Sequence, residues 1–179
     1  RLAPQSERAC SEQGRAYFLL GDNARALAAM QESISLNPAY LPGWQYLLRL
    51  LVLTKNVDAA RWADRAIELF PTCYPVALLA IAAYPPAQAV AAMHALLDRV
   101  APTLTADQES VALTAFRKPI LAVAAEATPG PEVVAMLERA CAIFPRSARL
   151  AGELGAALTR ADRADEAPAH LSRAHSLRT

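Results

Sequence analysis

Residues 7–38 read ERACSEQGRAYFLLGDNARALAAMQESISLNP, and the fold turns on how this stretch is read. Apolar residues return every three or four positions on both sides of Gly21-Asp22-Asn23, which places one apolar stripe on each of two helices. Glycine, aspartate and asparagine in succession mark a tight turn between them. Ser6 stands where a cap for the first helix, Glu7 to Leu20, is needed. The apolar face of that helix carries Cys10, Tyr17 and Leu20, with Gly14 allowing close approach of a partner helix. A glycine inside a helix costs about 1 kcal/mol against alanine, so Gly14 calls for a packing reason. Asp22 or Asn23 caps the second helix, which repeats Ala26, Leu27, Met30 and Ile34. Asn37-Pro38 ends it.

The same hairpin returns at residues 148–177, ARLAGELGAALTRADRADEAPAHLSRAHSL. Moved back by 141 positions, Gly155 falls on Gly14, Leu158 on Tyr17, Ala167 on Ala26, Leu171 on Met30 and Leu177 on Leu36. Self-similarity of this kind is the signature of a repeat architecture. The chain between carries further helices: Pro42–Leu53, Val57–Phe70, Pro75–Tyr84 and Pro86–Val100. Proline suits a helix's first turn, where its missing N–H is no loss. From Pro102 to Pro145 the spacing stretches to 43 residues. Thr105 and Gln108 form a capping box there. Pro119 is expected to kink or split the helix that follows, making Thr103–Pro131 the place where the repeat array bends or flexes. Thr128-Pro129-Gly130-Pro131 is a stop. Helices over Pro131–Phe144, Ser147–Thr159 and Ala164–Leu177 complete ten, or eleven with a split at Pro119, and no alternating run suggests a strand.

The hairpins resemble the tetratricopeptide repeat family, whose unit is a helix–turn–helix of about 34 residues. The first unit supplies Gly14, Tyr17, Ala26 and Pro38, departing at Cys10, Met30 and Ser33. The second, Leu41–Pro71, supplies Trp44, Leu47, Ala59, Ala66 and Pro71. The last supplies Leu154, Gly155, Ala167 and Ala174. Between them, LLDRVAP at 96–102 and ERACAIFP at 138–145 echo DRAIELFP at 64–71. The resemblance implies an all-α, right-handed superhelical solenoid of four to five antiparallel hairpins. It gives one domain over 1–179, with repeats near 7–40, 41–73, 74–102, an irregular 103–146, and 147–179.

Composition narrows the function classes. The net charge is +1, so no electrostatic case for nucleic acid arises. Lysine occurs only at Lys55 and Lys118; the other cations are arginines. The longest apolar run, Val76–Tyr84, falls far short of the roughly 18 residues of a membrane span. No signal peptide is legible, and an opening at Arg1 reads as a piece of a longer chain. Cys10, Cys73 and Cys141 are three, widely spaced, and suggest no disulfide framework. Free thiols point to a reducing compartment, and with the resemblance the expected setting is bacterial and cytoplasmic.

Catalytic parts are missing. His170 and His175 are five apart and stand about 140° apart on a helix, the wrong spacing for a metal pair; His94 is alone. The cysteines have no neighbouring base, and Cys10 and Cys141 read as core residues. Asp162, Asp165 and Glu166 suit the dipole at a helix start. No enzyme activity, metal or cofactor is expected.

Binding is the better reading. The resemblance implies that first helices line the concave face, which places Arg8, Ser11, Arg15 and Phe18 there from the first unit. Gln45, Arg49 and Val52 come from the second. Arg15 and Arg49 occupy equivalent positions on adjacent helices, where a pair of guanidiniums grips carboxylates. The Lys/Asn carboxylate clamp of chaperone-tail receptors is absent, its positions holding Ser11, Arg15, Tyr46, Pro75 and Leu79. The expected function is a scaffold that binds a protein or peptide carrying acidic residues, without nucleic acid or membrane insertion. The alternatives are a substrate-recruiting domain fused to an enzyme such as a glycosyltransferase or sulfotransferase, and a self-associating spacer.

Overall fold

Helix ends come first, because short polar residues set where each helix starts. The computed structural model describes residues 6–128 and 130–178; the lead-in read at Arg1–Gln5 and Pro129 of the break lie outside them. Ser6 Oγ accepts from the Ala9 amide at 3.2 Å and opens α1, Glu7–Leu19. Asp22 Oδ1 accepts from the Arg25 amide at 3.0 Å and opens α2, Asn23–Leu36. Between them the Asp22 amide donates to the Tyr17 carbonyl and the Gly21 amide to the Phe18 carbonyl, each at 3.0 Å. This is the Schellman turn, and it holds Gly21 at φ 79°.

The same turn closes α3, Leu41–Leu53, with Lys55 at φ 51°, and α9, Ala148–Arg160, with Asp162 at φ 58°. There the Asn56 amide donates to the Leu51 carbonyl at 2.9 Å and the Arg163 amide to the Leu158 carbonyl at 3.0 Å. A left-handed residue with a Cβ costs roughly 1–2 kcal/mol, which only the turn's hydrogen bonds justify.

Among the described residues there are ten α-helices and no strand. The chain divides into two compact units, Arg1–Tyr84 and Pro85–Thr179. The line between them runs inside the stretch read as the third repeat, 74–102.

The first unit holds α1 to α3, α4 (Ala59–Leu69) and α5 (Tyr74–Ile81). Its core is Met30, Ile34, Trp44, Leu47, Leu48 and Leu51, closed by the small residues Ala26, Ala63 and Ala66. The Trp44 indole N–H donates to the Pro38 carbonyl at 2.9 Å, which allows a polar ring atom to be buried. The Trp44 ring also lies 5.9 Å from Trp62 and 6.5 Å from Phe70. Two expectations fail here: Leu20, read on the apolar face of the first helix, is 80% exposed, and Val57, read as the start of the fourth helix, lies ahead of α4 and is 97% exposed. Both sit at loop tips, beyond the helical turns that face the core.

The second unit holds α6 (Pro86–Val100), α7 (Ala106–Glu126), α8 (Pro131–Ile143), α9 and α10 (Ala167–Ser176). Gln108 Oε1 accepts from the Thr105 amide at 3.2 Å, as the capping box requires. Pro119 does not split α7, which runs unbroken through it. An internal proline costs about 3 kcal/mol in lost bonding and strain. Burial of Phe116, Ile120, Val123 and Ala124 on either side offsets that cost. Phe116 packs 6.2 Å from Phe144, ring to ring. The last helix starts at Ala167 rather than Ala164, because the turn at Asp162 delays it.

The repeat match between the two ends holds in space. A Cβ on Gly14 would stand 2.8 Å from Met30 Cγ and 3.1 Å from the Ala26 carbonyl. A Cβ on Gly155 would stand 2.7 Å from Leu171 Cγ and 3.4 Å from the Ala167 carbonyl. The residues met are the ones the 141-residue shift pairs. Gly14→Leu and Gly155→Leu are each expected to lower stability by about 1–3 kcal/mol, the usual cost of overpacking. Thermal unfolding followed by circular dichroism checks this; an unchanged midpoint for Gly14→Leu would mean the two helices do not meet there. Lys55→Gly is expected to do the opposite, raising stability by about 0.5–1 kcal/mol in a urea titration, since it relieves a left-handed Cβ.

Candidate functional site

The site grows from the way α1 and α3 lie over α2. Gly14 brings α2 close, so Met30 passes beneath α1, and Met30 and the buried Leu50 form the floor of a cavity of about 180 Å³. Half-buried Phe18 from α1 and Tyr46 from α3 line it. Arg15, Leu19 and Arg49 complete the lining; all three are exposed. Helical spacing explains the grouping: Arg15, Phe18 and Leu19 share one face of α1, and Tyr46, Arg49 and Leu50 share one face of α3.

Three of the seven sequence-read residues therefore come together: Arg15, Phe18 and Arg49. Gln45 and Val52 are half-buried on α3, and Arg8 is exposed on α1; none of them lines the cavity. Ser11 is 0% exposed, and its hydroxyl has no hydrogen-bond partner among the described residues. A side chain inside the packing does not face an open groove, so Ser11 lies outside the surface considered below. Tyr46 and Leu19 were missed, although Tyr46 stands one turn from Arg49 and Leu19 one turn from Arg15. Met30 and Leu50 read as core by periodicity, which does not reveal a core residue that also floors a cavity.

The two arginines differ. Arg15 Nη1 lies 3.2 Å from Glu12 Oε2 along the same helix. Arg49 forms no ion pair with any described carboxylate.

Residues 7–40 match the family model described as Tetratricopeptide repeat. The chain carries a tetratricopeptide repeat. Solved structures with a similar fold include a crystal structure of MamA protein, TM-score 0.59, 16% identical over 96% of this chain and 91% of that one. A second crystal structure of MamA gives 0.55 and 16% over 92% and 94%. MamA AMB-1 gives 0.54 and 17% over 94% and 97%. At these identities the likeness concerns the fold, an all-α helical-repeat solenoid. Among curated proteins, none matches the sequence.

Helix packing also buries two of the three thiols. Cys10, beneath α1, is buried, and desolvation raises its thiol pKa. Burial pushes Cys141 up to about 11, with Arg173 opposing the shift. Both stay protonated at neutral pH and are poor nucleophiles. Cys73, ahead of α5, is half-buried. Among the described residues no three metal-ligating side chains gather, and no helix is long and apolar enough to cross a membrane. His94 Nδ1 lies 3.3 Å from Asp98 Oδ2, and Asp98 Oδ1 also accepts from Arg139 Nε at 2.6 Å. Glu166, at the start of α10, takes two hydrogen bonds from Arg163 at 2.6 and 2.7 Å, which lowers its pKa. Arg163 also reaches Glu138 of α8 at 3.1 Å, so this arginine joins the start of α10 to α8.

A larger opening of about 370 Å³ runs along α4 beside Trp62, Asp64 and Glu68. Its charges are already matched: Arg65 pairs with Glu68 at 3.1 Å, and Asp64 accepts from the Tyr84 hydroxyl at 2.7 Å. With a thiol reagent at pH 7, Cys73 is expected to label on the folded protein, and Cys10 and Cys141 only after denaturant is added. Mass spectrometry of the labelled peptides checks the order.

Proposed function

We propose that this chain is a non-catalytic binding scaffold that takes an extended protein segment on the first-helix face of its opening repeats, at Arg15, Phe18, Tyr46 and Arg49. The observation that supports it most is the cavity itself: two guanidiniums on an apolar pit, assembled from equivalent positions of adjacent repeats. Cations beside apolar surface suit a segment with acidic and hydrophobic residues. The planar fork of donors on arginine matches the two oxygens of a carboxylate. The opening along α4 is the weaker candidate, because Arg65 already pairs with Glu68 and Asp64 already accepts from the Tyr84 hydroxyl. The position equivalent to Arg15 in the last hairpin is Ala156, and that equivalent to Phe18 is Thr159, so the proposed site belongs to the opening repeats alone.

The test is a double charge reversal, Arg15→Glu with Arg49→Glu. Exposed charges contribute little to stability, usually within about 0.5 kcal/mol, so the helical spectrum and melting temperature are expected to stay near wild type. Binding of acidic, leucine-rich peptides, followed by fluorescence anisotropy, is expected to fall by about 2–5 kcal/mol. Raising salt is expected to weaken the wild-type complex in part, as screening acts on the exposed charges. Wild-type affinity in the double variant would move the site elsewhere on the chain.

A further inference from the structure

The two arginines of the cavity are equivalent by repeat position and unequal in surroundings. We infer that the site reads a single carboxylate, through Arg49, beside one large apolar side chain, within an internal stretch of a partner polypeptide. This rests on the binding surface proposed above and specifies its ligand.

Arg15 already has a carboxylate, Glu12, at 3.2 Å. A ligand carboxylate arriving at Arg15 would compete with Glu12 and meet its negative charge. Arg49 has no such partner among the described residues, and it lines a mostly apolar pit. A carboxylate seated there gains a charge-assisted contact that nothing in the chain already makes.

Size sets the second element. Met30 and Leu50 floor the pit and are buried, and its volume of about 180 Å³ slightly exceeds that of a cavity known to take benzene, about 150 Å³. One leucine, isoleucine or phenylalanine side chain fits; two do not. The third element is direction. Exposed apolar surface continues one turn past each arginine, at Leu19 (76% exposed) on α1 and Leu53 (60%) on α3. A chain that ended at Arg49 with its terminal carboxylate would leave Leu53 unused. A chain that continues past Arg49 covers it. The occupant is therefore an internal segment with an apolar residue close to one aspartate or glutamate.

The experiment selects short randomised peptides, displayed between fixed flanking residues, on the immobilised full chain. Winners are remade with acetylated and amidated ends and measured by fluorescence anisotropy. Enrichment of an apolar residue next to a single acid is expected. Arg49→Gln is expected to weaken these peptides about thirtyfold or more, as loss of a charged anchor does. Arg15→Gln is expected to weaken them about fivefold or less, the range of an exposed ion pair. Circular dichroism confirms that both variants stay folded, and Leu50→Phe, which shrinks the pit, is expected to reduce binding of the same peptides.

Several outcomes would overturn the inference. Equal losses for the two arginines would remove the asymmetry. Enrichment of apolar residues without an acid, still lost in Leu50→Phe, would sink the single-carboxylate inference and leave the binding surface standing. Peptides that need a free C-terminus would sink the internal-segment element. A dimer seen by light scattering that Arg49→Gln dissolves would make a second copy the occupant. Winners insensitive to Arg15, Arg49 and Leu50 alike would overturn the binding surface itself.

Discussion

The contact on which the first unit depends is the crossing of α1 over α2 at Gly14. With only a hydrogen on Gly14, Met30 and the Ala26 carbonyl lie closer than a Cβ would allow. That approach buries Cys10, Ala26 and Met30 together. Close packing leaves no room to absorb a methyl group, because interiors are about as dense as organic crystals. The same crossing recurs at Gly155, against Leu171 and Ala167. A glycine that weakens a helix locally is therefore kept in both hairpins for the tertiary contact it permits.

The candidate site is a by-product of that crossing. Met30 is held under α1 by Gly14, and there it becomes the floor between Phe18 and Tyr46. One side chain thus packs the helix crossing and floors the candidate cavity. The charges above it are set by a local matter, the i,i+3 spacing of Glu12 and Arg15, which gives one guanidinium an ion-pair partner on its own helix while Arg49 has none among the described residues. In the last hairpin the crossing is kept and the cation is not, since Ala156 stands in the equivalent place. Repeats share their packing residues and differ on their outward faces, as expected when packing constrains only the contact side.

The middle of the chain shows how burial overrides local preference. Pro119 removes an amide from α7 and leaves the Ala115 carbonyl without its helical donor. Ala115 is exposed, so water is available to that carbonyl. The apolar side chains of Phe116, Ile120 and Ala124 lie buried on the opposite side and keep the helix whole. At Lys55 and Asp162 the left-handed turn is kept without glycine, for the sake of the amide–carbonyl bonds that close α3 and α9.

Much of this was legible in the residues. Periodicity, the caps Ser6 and Asp22, the prolines at helix starts and the 141-residue self-match determined the helices and their pairing, because these signals act within one or two turns. Repeat equivalence puts Arg15 and Arg49 at matching positions of α1 and α3, and with Phe18 they line one cavity. What only the tertiary structure decided depends on distances between helices. It buried Ser11 and exposed Leu20, since both lie at the boundary of the apolar stripe, where a neighbouring helix settles the outcome. It placed the division of the chain between Tyr84 and Pro85, where the sequence showed only a Pro-Pro break inside a repeat. It also made Met30 and Leu50 the floor of a cavity, because an unfilled volume arises from how three helices fail to close on one another, and no single helix encodes that.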